Sequence, residues 1–289
     1  MSSIAWWNRV FVMPTLLTGF RHYGPNIEPE FTSLRASTRT GGWEAVAWPS
    51  MRLPDEGYGT VVCEATFFDA RDDLARDPLT LVHWEPLPNE ALFDLIPENR
   101  CSIDGTVEQT CELMKSLQSD PLRALMASVL LMPDVENGYW THPASLSHHH
   151  AHSGGLAQHS LEVAVACENV RGLDAWQRDL VIAYAFLHDL GKLWCYADGA
   201  LTSEARRIGH EAIGYQSLKP KLKRLRESDE RSGATLEALL SGAWKRTCKH
   251  PAAALGDIVR AMDRFSAAKS VGNAARPSPS PPVMTTQSD

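Results

Sequence analysis

The sequence predicts a mainly α chain: a helical bundle with a small β-containing or irregular region at its N-terminus. Two observations predict it. From about residue 97 onward, successive segments place apolar residues three and four apart, the period of an amphipathic helix. Before that point Pro, Gly and Trp are frequent and helical periodicity is weak. A chain of 289 residues leads one to expect one or two domains. The pattern divides it into an N-terminal region of unassigned role (1–95), a helical domain (96–272) and a Pro/Ser-rich tail (273–289) whose composition predicts disorder.

In the first region, Gly59–Phe68 (GTVVCEATFF) and Leu79–Trp84 (LTLVHW) read as strands. Pro14, Pro25, Pro29, Pro49 and Pro54 argue against long helices there. The aromatics Trp6, Trp7, Trp43, Trp48 and Tyr58 suit either a small core or a surface on which bases stack. Helices follow at Thr106–Ser119, Pro121–Met132 and His159–Arg171. Asp174–Leu190 is nearly all apolar from Leu180 to Leu187, which predicts the centre of the bundle. Glu204–Leu218 and Leu236–Trp244 are shorter helices, with the charge-dense Lys219–Arg231 between them. Pro251–Val271 closes the series, with Leu255, Ile258, Val259, Met262 and Phe265 on one face.

Composition narrows the function classes. Apolar residues make up 44% of the chain, charged residues 22%, and the net charge is −7, so a wholesale nucleic-acid coat is not expected. No stretch is long and apolar enough for a transmembrane helix, and the N-terminus lacks the charged start and cleavage site of a signal peptide. The six cysteines are scattered without a C-x-x-C pair, which predicts buried thiols in a reducing cytoplasm. Histidine stands out: nine of the 11 lie between 142 and 250, five of them within 148–159.

In FLHDLGK an apolar helix runs into His188 and Asp189, then Gly191 and Lys192. Burying an imidazole and a carboxylate side by side is costly unless they pair or hold a cation, and a divalent metal removes that cost. Gly191 is expected to end the helix in a left-handed cap, with Lys192 at the edge of the site. His159 begins a helix 29 residues earlier, a spacing that fits an antiparallel partner. His210 sits in a later helix and Asp263 among apolar residues in the last one, where pairing with Arg260 or Arg264 is its alternative. Four helices each lending one or two N/O ligands is how bundles build metal sites.

His159, His188-Asp189 and Asp263 resemble the H…HD…D signature of the HD-domain metal-dependent phosphohydrolases. PASLSHHHAHSGGLAQHSLEVA (143–164) followed by LHDLGK is similar to the HD domain of TraI-type (MobH) relaxases of conjugative elements, and to that of YhaM-type 3′→5′ exoribonucleases. The resemblance spans about 105–270 and implies an HD-type bundle with His159, His188, Asp189 and Asp263 as metal ligands, His210 as an additional one, and Asp189 bridging two ions. It also implies that His149 and His150 bind substrate phosphate or lend a ligand to a second metal, and that His250 is a further ligand, the alternative being a loop histidine. In the exoribonucleases an OB-fold precedes this domain; the five strands it needs cannot be counted in this sequence.

Mixed His/carboxylate ligands suit Mn, Fe, Co, Ni or Zn, expected as two ions that activate water for attack on phosphorus, with Asp189 and Lys192 as the catalytic pair. Lys223 and Arg224, within a basic run from Lys219 to Arg226, are expected to contact a nucleic-acid backbone; a solvated helix face is the other reading. The expected function is therefore a metal-dependent phosphodiesterase or nuclease in conjugative or mobile-element DNA processing, with nucleic acid and conjugation proteins as partners. The alternatives are a non-catalytic binding module with a structural metal, and a nucleotide phosphohydrolase.

Overall fold

The computed structural model describes residues 9–24, 26–56, 58–70, 77–146, 150–197, 199–246 and 252–274, with side chains through 268. Five strands, β1 (Val10–Tyr23), β2 (Phe31–Ser37), β3 (Gly42–Ala47), β4 (Val61–Phe68) and β5 (Leu79–Pro86), close into a barrel in the order β1-β2-β3-β5-β4. Every pairing is antiparallel except β3 with β5. That connectivity is the five-stranded Greek-key barrel of the OB-fold.

The expected β-containing N-terminal region is present and is a complete barrel: β4 and β5 lie where the sequence put strands, and β1 to β3 add to them. Pro14 falls before Leu16, where β1 is paired on the β4 side alone, a position proline tolerates. Gly19, at φ +65°, sits in the register shift between Thr18 and Arg21 and bends β1 from one partner to the other. The barrel interior is Leu17, Phe20, Leu34, Phe67, Leu79 and Leu81, filled in by Ala36, Ala45, Ala47, Cys63 and Ala65. Trp43 is half-buried and packs against this core, while Trp48 and Tyr58 are exposed; Trp6 and Trp7 lie outside the described residues.

Short 3-10 turns at Asn89–Asp94 and Glu98–Arg100 lead to α1 (Thr106–Lys115), α2 (Asp120–Leu130), α3 (Pro133–Gly138), α4 (Gly155–Glu168), α5 (Ala175–Leu187), α6 (Ser203–Ser228), α7 (Glu230–Leu240) and α8 (Ala253–Ala274). Ser119 caps α2, and Asp174 with Gln177 forms a capping box on α5. Every residue of α5 from Asp179 to Leu187 is buried, as expected of a central helix. The charge-dense segment is not a break: α6 continues through Pro220 to Ser228. Leu16 and Val62 of the barrel join the helical core through Leu92 and Phe93, and Arg39 donates hydrogen bonds to the Phe93 and Asp94 carbonyls, so barrel and bundle share one packed seam.

On α8, Leu255 and Val259 are buried, but Phe265 is 65% exposed, against expectation. The inward place one residue on belongs to Ser266, which is 4% exposed. All the described cysteines are buried free thiols, and burial alone pushes Cys63 and Cys167 up to about 12. Among the described residues no helix is long and apolar enough to cross a membrane.

Candidate metal centre

α4, α5 and α8 meet around one buried point. His159 comes from the first turn and a half of α4, His188 from the C-terminal cap of α5, Asp189 from the residue that follows, and Asp263 from the middle of α8. One ligand atom from each lies within 4.8 Å of all the others. His159 Nε2 is 3.4 Å from Asp189 Oδ2 and 3.1 Å from Asp263 Oδ1. His188 Nε2 is 3.6 Å and 3.8 Å from the same two oxygens. Asp263 thus faces the imidazoles and not Arg260 or Arg264.

Glycines set this geometry. Gly154, at φ +80°, starts α4, and a Cβ on Gly155 would stand 2.0 Å from the His150 carbonyl oxygen, so only Gly lets that turn close onto the helix. Gly191 does not form the expected left-handed cap. It lies in a 3-10 turn (Leu190–Trp194), where a Cβ would be 1.9 Å from the His210 carbonyl oxygen. Its role is close approach: it brings α6 against Asp189. Gly209, at φ +77°, breaks α6 one residue before His210, and His210 Nε2 comes within 3.1 Å of Asp189 Oδ1.

Hydrogen-bond direction fixes which nitrogens face the point. His188 Nδ1 is 2.7 Å from the Ala185 carbonyl, which only accepts, so Nδ1 carries the proton and Nε2 is bare in the neutral ring. That buried Nε2 has no hydrogen-bond partner among the described residues. His159 Nδ1 is 3.3 Å from Ser266 Oγ, whose own proton goes to Glu162 Oε2 at 2.8 Å, so His159 Nε2 is the bare nitrogen as well. Two lone pairs and two carboxylates therefore converge on one low-dielectric point, an arrangement that a cation would stabilise.

Without a metal, a proton and Lys192 supply the positive charge. Burial opposes the His159 imidazolium, but hydrogen bonds to Asp189 and Asp263 outweigh it and hold the pKa up at about 9. Burial likewise opposes the Asp189 carboxylate, and the His188 charge with the His159 and His210 hydrogen bonds reverses this, leaving it well below the usual carboxylate range. Asp263 is lowered in the same way by His159 and His188. Lys192 is mostly buried and hydrogen-bonds Asp189 Oδ2. The donor set of two imidazoles and two carboxylates fits a divalent transition ion. Asp189 divides its oxygens, Oδ2 toward His159 and His188 and Oδ1 toward His210.

The other expected site residues that the structure describes lie behind or away from this point. His150, at φ +52°, sits behind His159, its Nε2 3.3 Å from Glu162 Oε2 and its Nδ1 3.2 Å from Gln158. Lys223 and Arg224 are exposed on α6, 13 and 14 residues or about 20 Å along the helix from His210. His149 and His250 lie outside the described residues. Sequence reasoning missed Glu162 and Ser266. Each stands three residues after a candidate ligand, His159 and Asp263, and that i, i+3 spacing was the available signal.

Residues 156–268 match the family model described as HD domain, and the chain carries an HD domain, the helical class that this site defines. Among curated proteins it is similar to the 3′-5′ exoribonuclease YhaM of Listeria innocua serovar 6a, 22% identical over 248 residues that cover 82% of this chain and 78% of that protein. The YhaM of Listeria welshimeri serovar 6b matches with the same identity and coverage. That of Listeria monocytogenes serotype 4b is 24% identical over 194 residues, 63% of this chain and 60% of the relative. No solved structure matches.

Proposed function

We propose that this chain is a metal-dependent phosphodiesterase of the HD superfamily that cleaves single-stranded nucleic acid in the cytoplasm. The observation that carries the reading is the convergence of two bare imidazole nitrogens and two carboxylates on one buried point. His159, His188, Asp189 and Asp263 would hold the first ion, and the divided oxygens of Asp189 with His210 would hold a second. Bound there, divalent ions supply an acidified water and Lewis acidity for in-line displacement at phosphorus.

The chain's own residues do the rest. His188 and His159 keep their bare nitrogens inward because their other ring nitrogens donate to Ala185 and Ser266. Lys192 holds the Asp189 carboxylate in place and puts positive charge where a substrate phosphate approaches. His210 and Asp263, side chains 40% and 36% exposed, mark the open side of the site.

Three observations favour nucleic acid as substrate. The curated relatives are named exoribonucleases. An OB-type barrel, a common oligonucleotide-binding fold, precedes the helices. A cavity of about 550 Å³ at the seam of barrel and bundle is lined by Arg35, Tyr58, Asn99, Arg100 and Asn137 among others. A role in conjugative or mobile-element DNA processing rests on the 143–164 block alone.

The test is metal content by inductively coupled plasma mass spectrometry, paired with turnover of bis(p-nitrophenyl) phosphate, single-stranded RNA and DNA oligonucleotides, and nucleoside monophosphates. Metal-dependent cleavage of oligonucleotides is expected. Preference for the mononucleotides would make the chain a nucleotide phosphohydrolase, and no turnover with metal bound would make it a binding module.

A further inference from the structure

Behind His159, a hydrogen-bonded chain runs away from the metal point. Ser266 Oγ lies 3.3 Å from His159 Nδ1 and 2.8 Å from Glu162 Oε2. The same Glu162 oxygen is 3.3 Å from His150 Nε2, and the His150 and His159 ring centroids are 5.5 Å apart. The links come from three parts of the fold: the turn before α4, α4 itself and α8.

The direction of the chain follows from what each group can give. A carboxylate only accepts, so Glu162 takes the Ser266 hydroxyl proton and a His150 ring proton. A hydroxyl has one proton, so Ser266 offers His159 a lone pair, and His159 must donate from Nδ1. Glu162, two bonds removed, thereby selects the tautomer whose Nε2 is bare toward Asp189 and Asp263. His150 is itself anchored: its carbonyl accepts the Ala144 N–H at 3.0 Å and packs so closely on Gly155 that a Cβ there would stand 2.0 Å away.

We propose that Ser266 and Glu162 are positioning residues that fix the tautomer and ring plane of His159, and so set the affinity of the centre for its divalent ion, with His150 anchoring the far end of the chain. The inference rests on the metal-site reading above and gives His150 a supporting place, not one on substrate phosphate or a second ion. The ring nitrogen of a metal-binding histidine that faces away from the ion is ordinarily held by such a partner, and losing it weakens metal binding about 10–100-fold. Packing alone would make the serine replaceable by any small residue.

The experiment titrates chelator-treated protein with Mn²⁺ and Zn²⁺ against a competing chelator, for the wild type, Ser266→Ala, Ser266→Thr and Glu162→Leu, which removes the acceptor. Long-range ¹H–¹⁵N spectra read the His159 tautomer in the same samples. Ser266→Ala and Glu162→Leu are expected to bind metal about 10–100-fold more weakly and to lose the single Nδ1–H tautomer, while Ser266→Thr, which keeps the hydroxyl, restores both. Wild-type affinity and an unchanged tautomer in Ser266→Ala and Glu162→Leu would overturn the proposal. Glu162 is partly exposed, side chain 29%, so Glu162→Leu carries the test if Ser266→Ala fails to fold. Wild-type protein that takes up no ion would overturn the metal-site reading, while the tautomer spectra still decide whether the chain sets His159.

Discussion

Two buried aspartates stand ten residues apart, Asp179 in the second turn of α5 and Asp189 just past its end, 1% and 4% exposed. Asp179 Oδ2 accepts the main-chain N–H groups of Gln118 and Ser119 at 2.7 and 2.8 Å, and Arg178 reaches Oδ1 at 3.3 Å. The fold itself satisfies that charge, and the carboxylate ties the start of α2 to the central helix. Asp189 faces three imidazoles and a lysine, groups that can yield their places to a metal. Burial alone therefore does not mark a functional acid. The nature of the partners does: fixed amides make a structural acid, titratable rings mark a candidate ligand.

The largest expected effect breaks this pair apart. Asp189→Asn should cut metal content to a small fraction of wild type and activity by roughly a thousandfold, a few kcal/mol of lost transition-state stabilisation, while the chain stays folded. Asp179→Ala should keep the metal and its activity at moderate temperature but lose about 2–4 kcal/mol of stability, because two buried N–H groups lose their acceptor and Arg178 loses a partner. Metal analysis and chemical denaturation of both variants check this. A stable Asp179→Ala protein, or metal-replete Asp189→Asn, would remove the distinction.

The next effect is one of pH. His159 has its pKa raised from 6.5 to about 9 in the metal-free site. A raised folded-state value adds stability that is full below the unfolded pKa and is lost as pH rises through the folded one. Metal-free protein should thus lose melting temperature between about pH 6.5 and pH 9, the window set by His159. Metal affinity should rise over the same window, since the ion displaces that proton. Metal-loaded protein should show a flatter profile, and Asp189→Asn, lacking one of the acids that hold the proton, a weaker slope. Thermal melts with chelator and with added metal measure both, and parallel slopes would show that the proton and the ion do not compete.

How much of this was legible in the sequence depends on what each residue reports. The helices were, because three-and-four spacing survives in any context, and so was the convergence of His159, His188, Asp189 and Asp263, whose residue types are costly to place in apolar helices. The first three strands were not. Ala36, Ala45 and Ala47 face the barrel interior but are too small to register as an apolar alternation, and Pro14 and Gly19 read as loop punctuation although they serve an edge position and a bulge. Gly191 was recognised as necessary for the wrong reason: its constraint comes from His210, 19 residues away, which no local pattern reveals. Ser266 was passed over for Phe265 because hydrophobicity was taken to choose the inward residue, where hydrogen bonding does.

The smallest effect concerns the basic run, remote from both aspartates. Lys221 is half-buried and its pKa is lowered by burial, and Arg226 pairs with Glu230 and Glu237, which leaves Lys219, Lys223 and Arg224 as the exposed charges. If a nucleic-acid backbone follows α6 away from the mouth at His210, Lys223→Glu with Arg224→Glu should weaken oligonucleotide binding and reduce the slope of log affinity against log salt by about two. Metal content and turnover of bis(p-nitrophenyl) phosphate, too small to span the roughly 20 Å to these residues, should not change. Fluorescence anisotropy across a salt series measures the first, and unchanged affinity would return the run to a solvated helix face. A parallel loss on the small substrate would instead mean that the substitutions disturb α6 as far as His210, since no direct contact connects the two.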